Sequence, residues 1–113
     1  MTTLLPKDAD NNIIPALRLK DSGAHTINTT TSSTRNATAF DGETKVISLY
    51  ATEPVFVAFG DSAVTANLSD HFFPAGIYYD VAISGGSGKA SKDLYIAAIA
   101  ESADGILYIS EKE

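Results

Sequence analysis

The chain contains no cysteine and no tryptophan. Without thiols it forms neither a disulfide framework nor a thiolate metal site, so domains built on either are excluded. Basic residues are also scarce, eight Lys and Arg against fourteen Asp and Glu, for a net charge of −6. An acidic surface repels phosphate backbones and anionic headgroups, so nucleic acid and membrane surfaces are not expected partners. Long hydrophobic runs are missing too. Met1-Thr2-Thr3-Leu4-Leu5-Pro6 has neither the basic segment nor the apolar stretch of a signal peptide, and no transmembrane helix is expected. The expectation is a protein made in the cytoplasm, which stays there unless a larger assembly carries it out.

What remains is a globular composition. With 44% hydrophobic and 19% charged residues, 113 residues suffice for one domain and one core. Folding at this size hides roughly 65% of the unfolded surface, enough without a disulfide or structural metal.

Most of the chain after residue 44 alternates with period two. Lys45-Val46-Ile47-Ser48-Leu49-Tyr50-Ala51 places Ile47, Leu49 and Ala51 on one face. Pro54 interrupts, and Val55-Phe56-Val57-Ala58-Phe59 follows until Gly60-Asp61. Residues 77–83 put Ile77, Tyr79, Val81 and Ile83 on one side and Tyr78, Asp80 and Ala82 on the other. Leu94-Tyr95-Ile96-Ala97-Ala98-Ile99 and Ile106-Leu107-Tyr108-Ile109-Ser110 complete the series. Short β-branched and aromatic runs between turn residues predict strands.

Phe73-Pro74-Ala75-Gly76 and Asp41-Gly42 read as turns, and Asp104-Gly105 as the loop of a hairpin joining the last two strands. Ser84-Gly85-Gly86-Ser87-Gly88 reads as a surface loop, and residues 61–70 lack the apolar stripe of a helix. Nearer the start, Ile13-Ile14 and Ala16-Leu17-Arg18-Leu19 look like one strand broken by Pro15. Residues 25–34, rich in Thr and Ser, predict a strand with one polar face at a sheet edge. Residues 1–12 read as an extended N-terminal arm, leaving 13–113 as the domain. Seven or eight short strands without βα alternation predict an all-β fold, a two-sheet sandwich or jelly roll.

The chemistry-bearing motifs are incomplete. Asp8-x-Asp10-x-Asn12 opens like a calcium loop, but Ile13 and Leu19 stand where glycine and a bidentate glutamate are required. Gly88-Lys89 lacks the rest of a phosphate-binding loop, with Ile83 and Ala90 at the decisive positions. His25 and His71 are the histidines, and each is expected at the surface. Asp70 and His71 are neighbours in sequence, so a strand would point them to opposite faces and no triad forms between them. Glu43, Glu53, Asp80, Glu101 and Asp104 are expected mostly in turns or at strand ends, solvated. The sequons at Asn28, Asn36 and Asn67 are what chance gives in a Ser/Thr-rich chain. The expectation is no metal, no nucleotide, no cofactor and no catalysis.

The order Ser32-Ser33-Thr34-Arg35-Asn36-Ala37-Thr38-Ala39-Phe40, residues 46–50, then Pro54-Val55-Phe56-Val57-Ala58-Phe59-Gly60 carries a resemblance. It continues through Phe73-Pro74-Ala75-Gly76 and Ile96-Ala97-Ala98-Ile99 to Ala103-Asp104-Gly105-Ile106-Leu107-Tyr108-Ile109-Ser110-Glu111. Over residues 16–111 the chain resembles small proteins encoded beside phage structural genes. That resemblance implies a non-enzymatic virion component, a β-sandwich that decorates or cements a capsid or joins parts of a head or tail. The resemblance further implies a protein made in the host cytoplasm and carried in the virion.

On this reading the partners are capsid or other virion proteins, with self-association as a dimer or trimer through edge strands. The candidate contact residues are Leu4 and Leu5 in the arm, with Phe72 and Tyr78 as outward aromatics. The alternative is a small carbohydrate-binding or host-recognition module, associated with a tail. It requires a planar row of exposed aromatics beside acids and amides, and the lack of tryptophan counts against it. A small β-sandwich enzyme is the third reading, disfavoured by the missing catalytic constellation.

Overall fold

A computed structural model describes residues 5–83 and 93–113. Among these residues there is no helix, and therefore none long and apolar enough to cross a membrane. The strands are β1 (Leu19–Thr29), β2 (Thr34–Arg35), β3 (Val46–Ala51), β4 (Val55–Gly60), β5 (His71–Phe73), β6 (Tyr78–Ala82), β7 (Tyr95–Ala100) and β8 (Gly105–Lys112). They form two antiparallel four-stranded sheets, ordered β1-β8-β3-β6 and β2-β7-β4-β5. The protein is a β-sandwich.

Period-two alternation becomes packing directly. Ile47, Leu49 and Ala51 of β3, Val55 and Val57 of β4, and Leu107 and Ile109 of β8 are all buried. With Ile27, Phe40, Ile83, Ile96 and Ala98 they fill the space between the sheets. Ile77 lies just before β6 and is exposed, whereas Ile83, just beyond it, belongs to the core.

Two connections differ from the sequence reading. Asp104-Gly105 is not a hairpin loop, because β7 and β8 lie in different sheets and do not pair. The chain crosses between sheets there, beside the crossing at residues 52–54. The Thr52 amide donates to the Ile106 carbonyl at 2.9 Å, and the Glu101 amide to the Pro54 carbonyl at 3.0 Å. Gly105 serves that close approach: an added Cβ would sit 2.8 Å from Thr52 Oγ1 and 2.9 Å from Glu53 Cβ. Gly105→Ala is expected to cost about 1–3 kcal/mol, read as a lowered thermal midpoint with an unchanged strand spectrum. Wild-type stability in that variant would show that the two crossings separate freely.

The second difference is at the start. Residues 13–18 form no strand; β1 begins at Leu19 and runs to Thr29 on the edge of the first sheet. Asp21-Ser22-Gly23 does not stop it. The register with β8 shifts between Leu19 and Ala24, and Ser22 takes a left-handed φ of 60° in that bulge. Residues 5–14 fold back on themselves: the Lys7–Ile13 bridge and the Ile14 amide on the Pro6 carbonyl, at 2.8 Å, close an exposed loop. Asp8 Oδ1 accepts the Asp10 and Asn12 amides at 2.9 Å each. The Asn12 amide above all holds the Asp8 carboxyl below its usual range.

Candidate functional site

The solvent face of the first sheet is built by strand parity. With Ile47, Leu49, Leu107 and Ile109 turned inward, their neighbours on β3 and β8 must point out. Register then sets Tyr78 of β6, Tyr50 of β3 and Tyr108 of β8 in one row across three strands. The next row is Asp80, Ser48 and Ser110. The Tyr50 and Tyr78 rings lie 4.8 Å apart and are tilted by 43°. Tyr78 is 73% exposed, the most open of the large apolar or aromatic side chains on this surface.

A groove of about 340 Å³ runs beside Tyr78, lined by Leu19, Ser48, Asp80, Ser110 and Lys112. Asp80 stands in the middle of β6, not at a strand end. Its Oδ1 accepts Ser48 Oγ at 2.6 Å and Lys112 Nζ at 2.9 Å. The Ser48 hydroxyl first, and Lys112 second, hold this carboxyl below the ordinary range, so it is ionised at neutral pH. These two donors fix Oδ1, and Asp80 is part of the groove lining.

Phe72 faces the other way. It lies on β5, the edge of the second sheet, half-exposed, with its ring 5.3 Å from that of Phe56. Phe73, one residue on, turns inward and meets Tyr79 of β6 edge to face at 5.0 Å. β5 and β6 therefore end their sheets on the same side of the sandwich. A cleft of about 480 Å³ opens there between Phe59, His71, Phe72, Phe73 and Val81. Phe72 and Tyr78 thus share a side of the molecule but point to opposite outer faces. Leu5 is exposed at the far N-terminal loop, and Leu4 lies outside the described residues, as do Gly88-Lys89 and the glycine-rich run before them.

The structure holds one polar cluster that the sequence reading did not anticipate. His25, expected at the surface, points into the sandwich, its side chain only 9% exposed. Its Nε2 lies 2.7 Å from Oε2 of Glu111, itself buried on the core-facing side of β8. Oε1 of Glu111 accepts Thr44 Oγ1 at 2.6 Å and the Asp41 amide at 2.8 Å. Burial alone would raise the Glu111 carboxyl; hydrogen bonds from His25, Thr44 and Asp41 outweigh it and leave the group below its ordinary value of 4.5. An ionised carboxylate only accepts, so Nε2 carries the proton. Phe40 seals the imidazole edge to face at 5.0 Å. Gly23, in the β1 bulge, makes room: a Cβ there would press on Glu111 Cβ at 3.0 Å.

This cluster joins a histidine, a carboxylate and a hydroxyl, with the carboxylate in the middle. The Thr44 hydroxyl donates to Glu111 rather than to His25, and Phe40 covers the imidazole. At the other histidine, Asp70 Oδ2 accepts the Asn67 amide while His71 lies exposed on β5. Among the described residues, no group of three or more His, Asp and Glu is placed to hold a metal. No protein family, curated protein or solved structure matches this chain.

Proposed function

We propose that this protein is a non-enzymatic accessory component of a phage particle, a decoration or cement protein that stabilises the head lattice through protein–protein contacts. The observation that carries the reading is the side of the sandwich where β5 and β6 end their sheets around the cleft at Phe72. An edge strand offers unpaired amides and carbonyls to a neighbour's backbone, and an apolar cleft beside it accepts that neighbour's side chains. Such a role needs area rather than chemistry, on the order of 800 Å² on each partner, repeated over many copies. The resemblance over residues 16–111 points the same way. Self-association as a dimer or trimer would use the same edges, and the expected N-terminal arm is, over residues 5–14, a closed exposed loop that would add a contact rather than reach out.

Add-back to purified particles that lack the protein tests this. Phe72→Asp places a charge in the cleft mouth of a half-exposed residue, so the domain stays folded. Attachment should weaken by about thirtyfold, the loss typical of a central aromatic contact. Full decoration by the variant would move the interface elsewhere. Absence of the intact protein from purified virions would end the virion reading.

A further inference from the structure

The groove beside Tyr78 is not needed for lattice docking: it opens on the solvent face of the first sheet, whereas Phe72 lies on that of the second. Its composition is specific. One wall is the exposed ring of Tyr78, braced from behind by Tyr50. The floor carries the hydroxyls of Ser48 and Ser110, and the rim carries the fixed Asp80 carboxylate and Lys112. Leu19 closes the far end.

We propose that this groove is a binding site for a single neutral pyranose unit, with Tyr78 stacking on the C–H face of the ring and the Asp80 carboxylate accepting its hydroxyls. Each property of the ligand follows from a property of the site. A pyranose has an apolar face and a polar edge, which matches an aromatic wall set against hydroxyl, carboxylate and ammonium groups. Neutrality follows from charge: Lys112 and Asp80 compensate each other at 2.9 Å, and the net −6 of the chain disfavours an anionic sugar. The size follows from the volume, about 340 Å³, at the small end of the roughly 300–1,000 Å³ of small-molecule sites. The tilt of 43° between Tyr50 and Tyr78 decides against an extended flat surface such as a crystalline polysaccharide, which needs coplanar rings. The planar aromatic row that the carbohydrate reading required is not what Tyr50 and Tyr78 form, and the site proposed here uses the single exposed ring of Tyr78.

Binding a single sugar unit through one aromatic ring is weak, with a dissociation constant of about a millimolar, so strength at a surface would come from many copies. Glucose, galactose, mannose and N-acetylglucosamine are the probes, each titrated into the isotopically labelled intact chain and followed by its amide resonances. At least one should shift the amides of Ser48, Tyr78, Asp80 and Ser110, saturably. Tyr78→Ala and Asp80→Asn should each weaken that binding about tenfold. Tyr78 is exposed, so its loss leaves the fold intact, and Phe72→Asp should bind the sugar as the parent does. Silence with all four sugars at roughly ten times a millimolar constant overturns the proposal, as do shifts confined to another face. Particle attachment lost with Tyr78→Ala but retained with Phe72→Asp would also overturn it, by making this groove a protein interface. Sugar binding without particle attachment would instead leave the site standing and remove the lattice reading.

Discussion

Glu111→Ala should cost about 3 kcal/mol of folding stability, much of what a domain of this size possesses. The loss is large because the carboxylate satisfies three buried donors at once: His25 Nε2, the Thr44 hydroxyl and the Asp41 amide. Removing it takes this acceptor from the His25 ring and the Thr44 hydroxyl inside the sandwich, and Phe40 keeps water from replacing it at His25. Denaturant titration measures the effect; a loss under about 1 kcal/mol would mean that the cluster contributes little. The pH dependence gives a second reading of the same bond set. The folded-state carboxyl titrates below its unfolded value of 4.5, so its stabilisation is complete above that value. It disappears as pH falls through the lower, folded-state value. The stability gap between wild type and Glu111→Gln should therefore be widest near neutrality and narrow in acid. A gap that widened as pH fell would contradict the ionised assignment.

Leu107→Ala is the other substitution with a large expected penalty, about 3–5 kcal/mol. Leu107 is fully buried on β8, opposite Ile27 of β1 and Ala51 of β3. Antiparallel neighbours on both flanks hold the backbone in register, so the sheet cannot collapse to fill the space. The same substitution at exposed Leu68, in the loop between β4 and β5, should change stability by less than about 0.5 kcal/mol. Comparable losses at the two positions would mean that the core is not where parity puts it.

The runs at 45–51, 55–59 and 106–110 were legible because burial itself imposes their period: Ile47, Val57 and Ile109 sit on the inward side of twofold alternation. The partner of each strand was not. Asp104-Gly105 announces a reversal, but whether the chain pairs with the strand it leaves depends on which strands compete for that edge. That competition involves residues distant in sequence. The Asp21-Ser22-Gly23 run carries ordinary turn residues, and only the fit of Gly23 over Glu111 shows why they lie inside a strand. Glu111 itself carried a usable signal. It continues the inward series of Leu107 and Ile109, but a charge near the end of a run looks solvated until His25, 86 positions away, is placed beside it. The groove at Asp80 was half legible: alternation put Tyr78 and Asp80 on one face, while Ser48, Ser110 and Lys112 come from strands that only the register brings alongside.

The position of β8 governs when the molecule can fold. It comes last in sequence among the described strands, yet it lies between β1 and β3 and, among the described residues, is the one ladder partner of β1. During synthesis the first strand to emerge therefore has no sheet to join until residues 105–112 leave the ribosome. His25 likewise waits for Glu111, and the Arg18 amide for the Glu113 carbonyl. A fragment without these residues retains the β3–β6 pair and all four strands of the second sheet but lacks Leu107 and Ile109 from its core. Completing the core therefore depends on residues 105–112, and a fragment without them presents itself to proteases as unfinished.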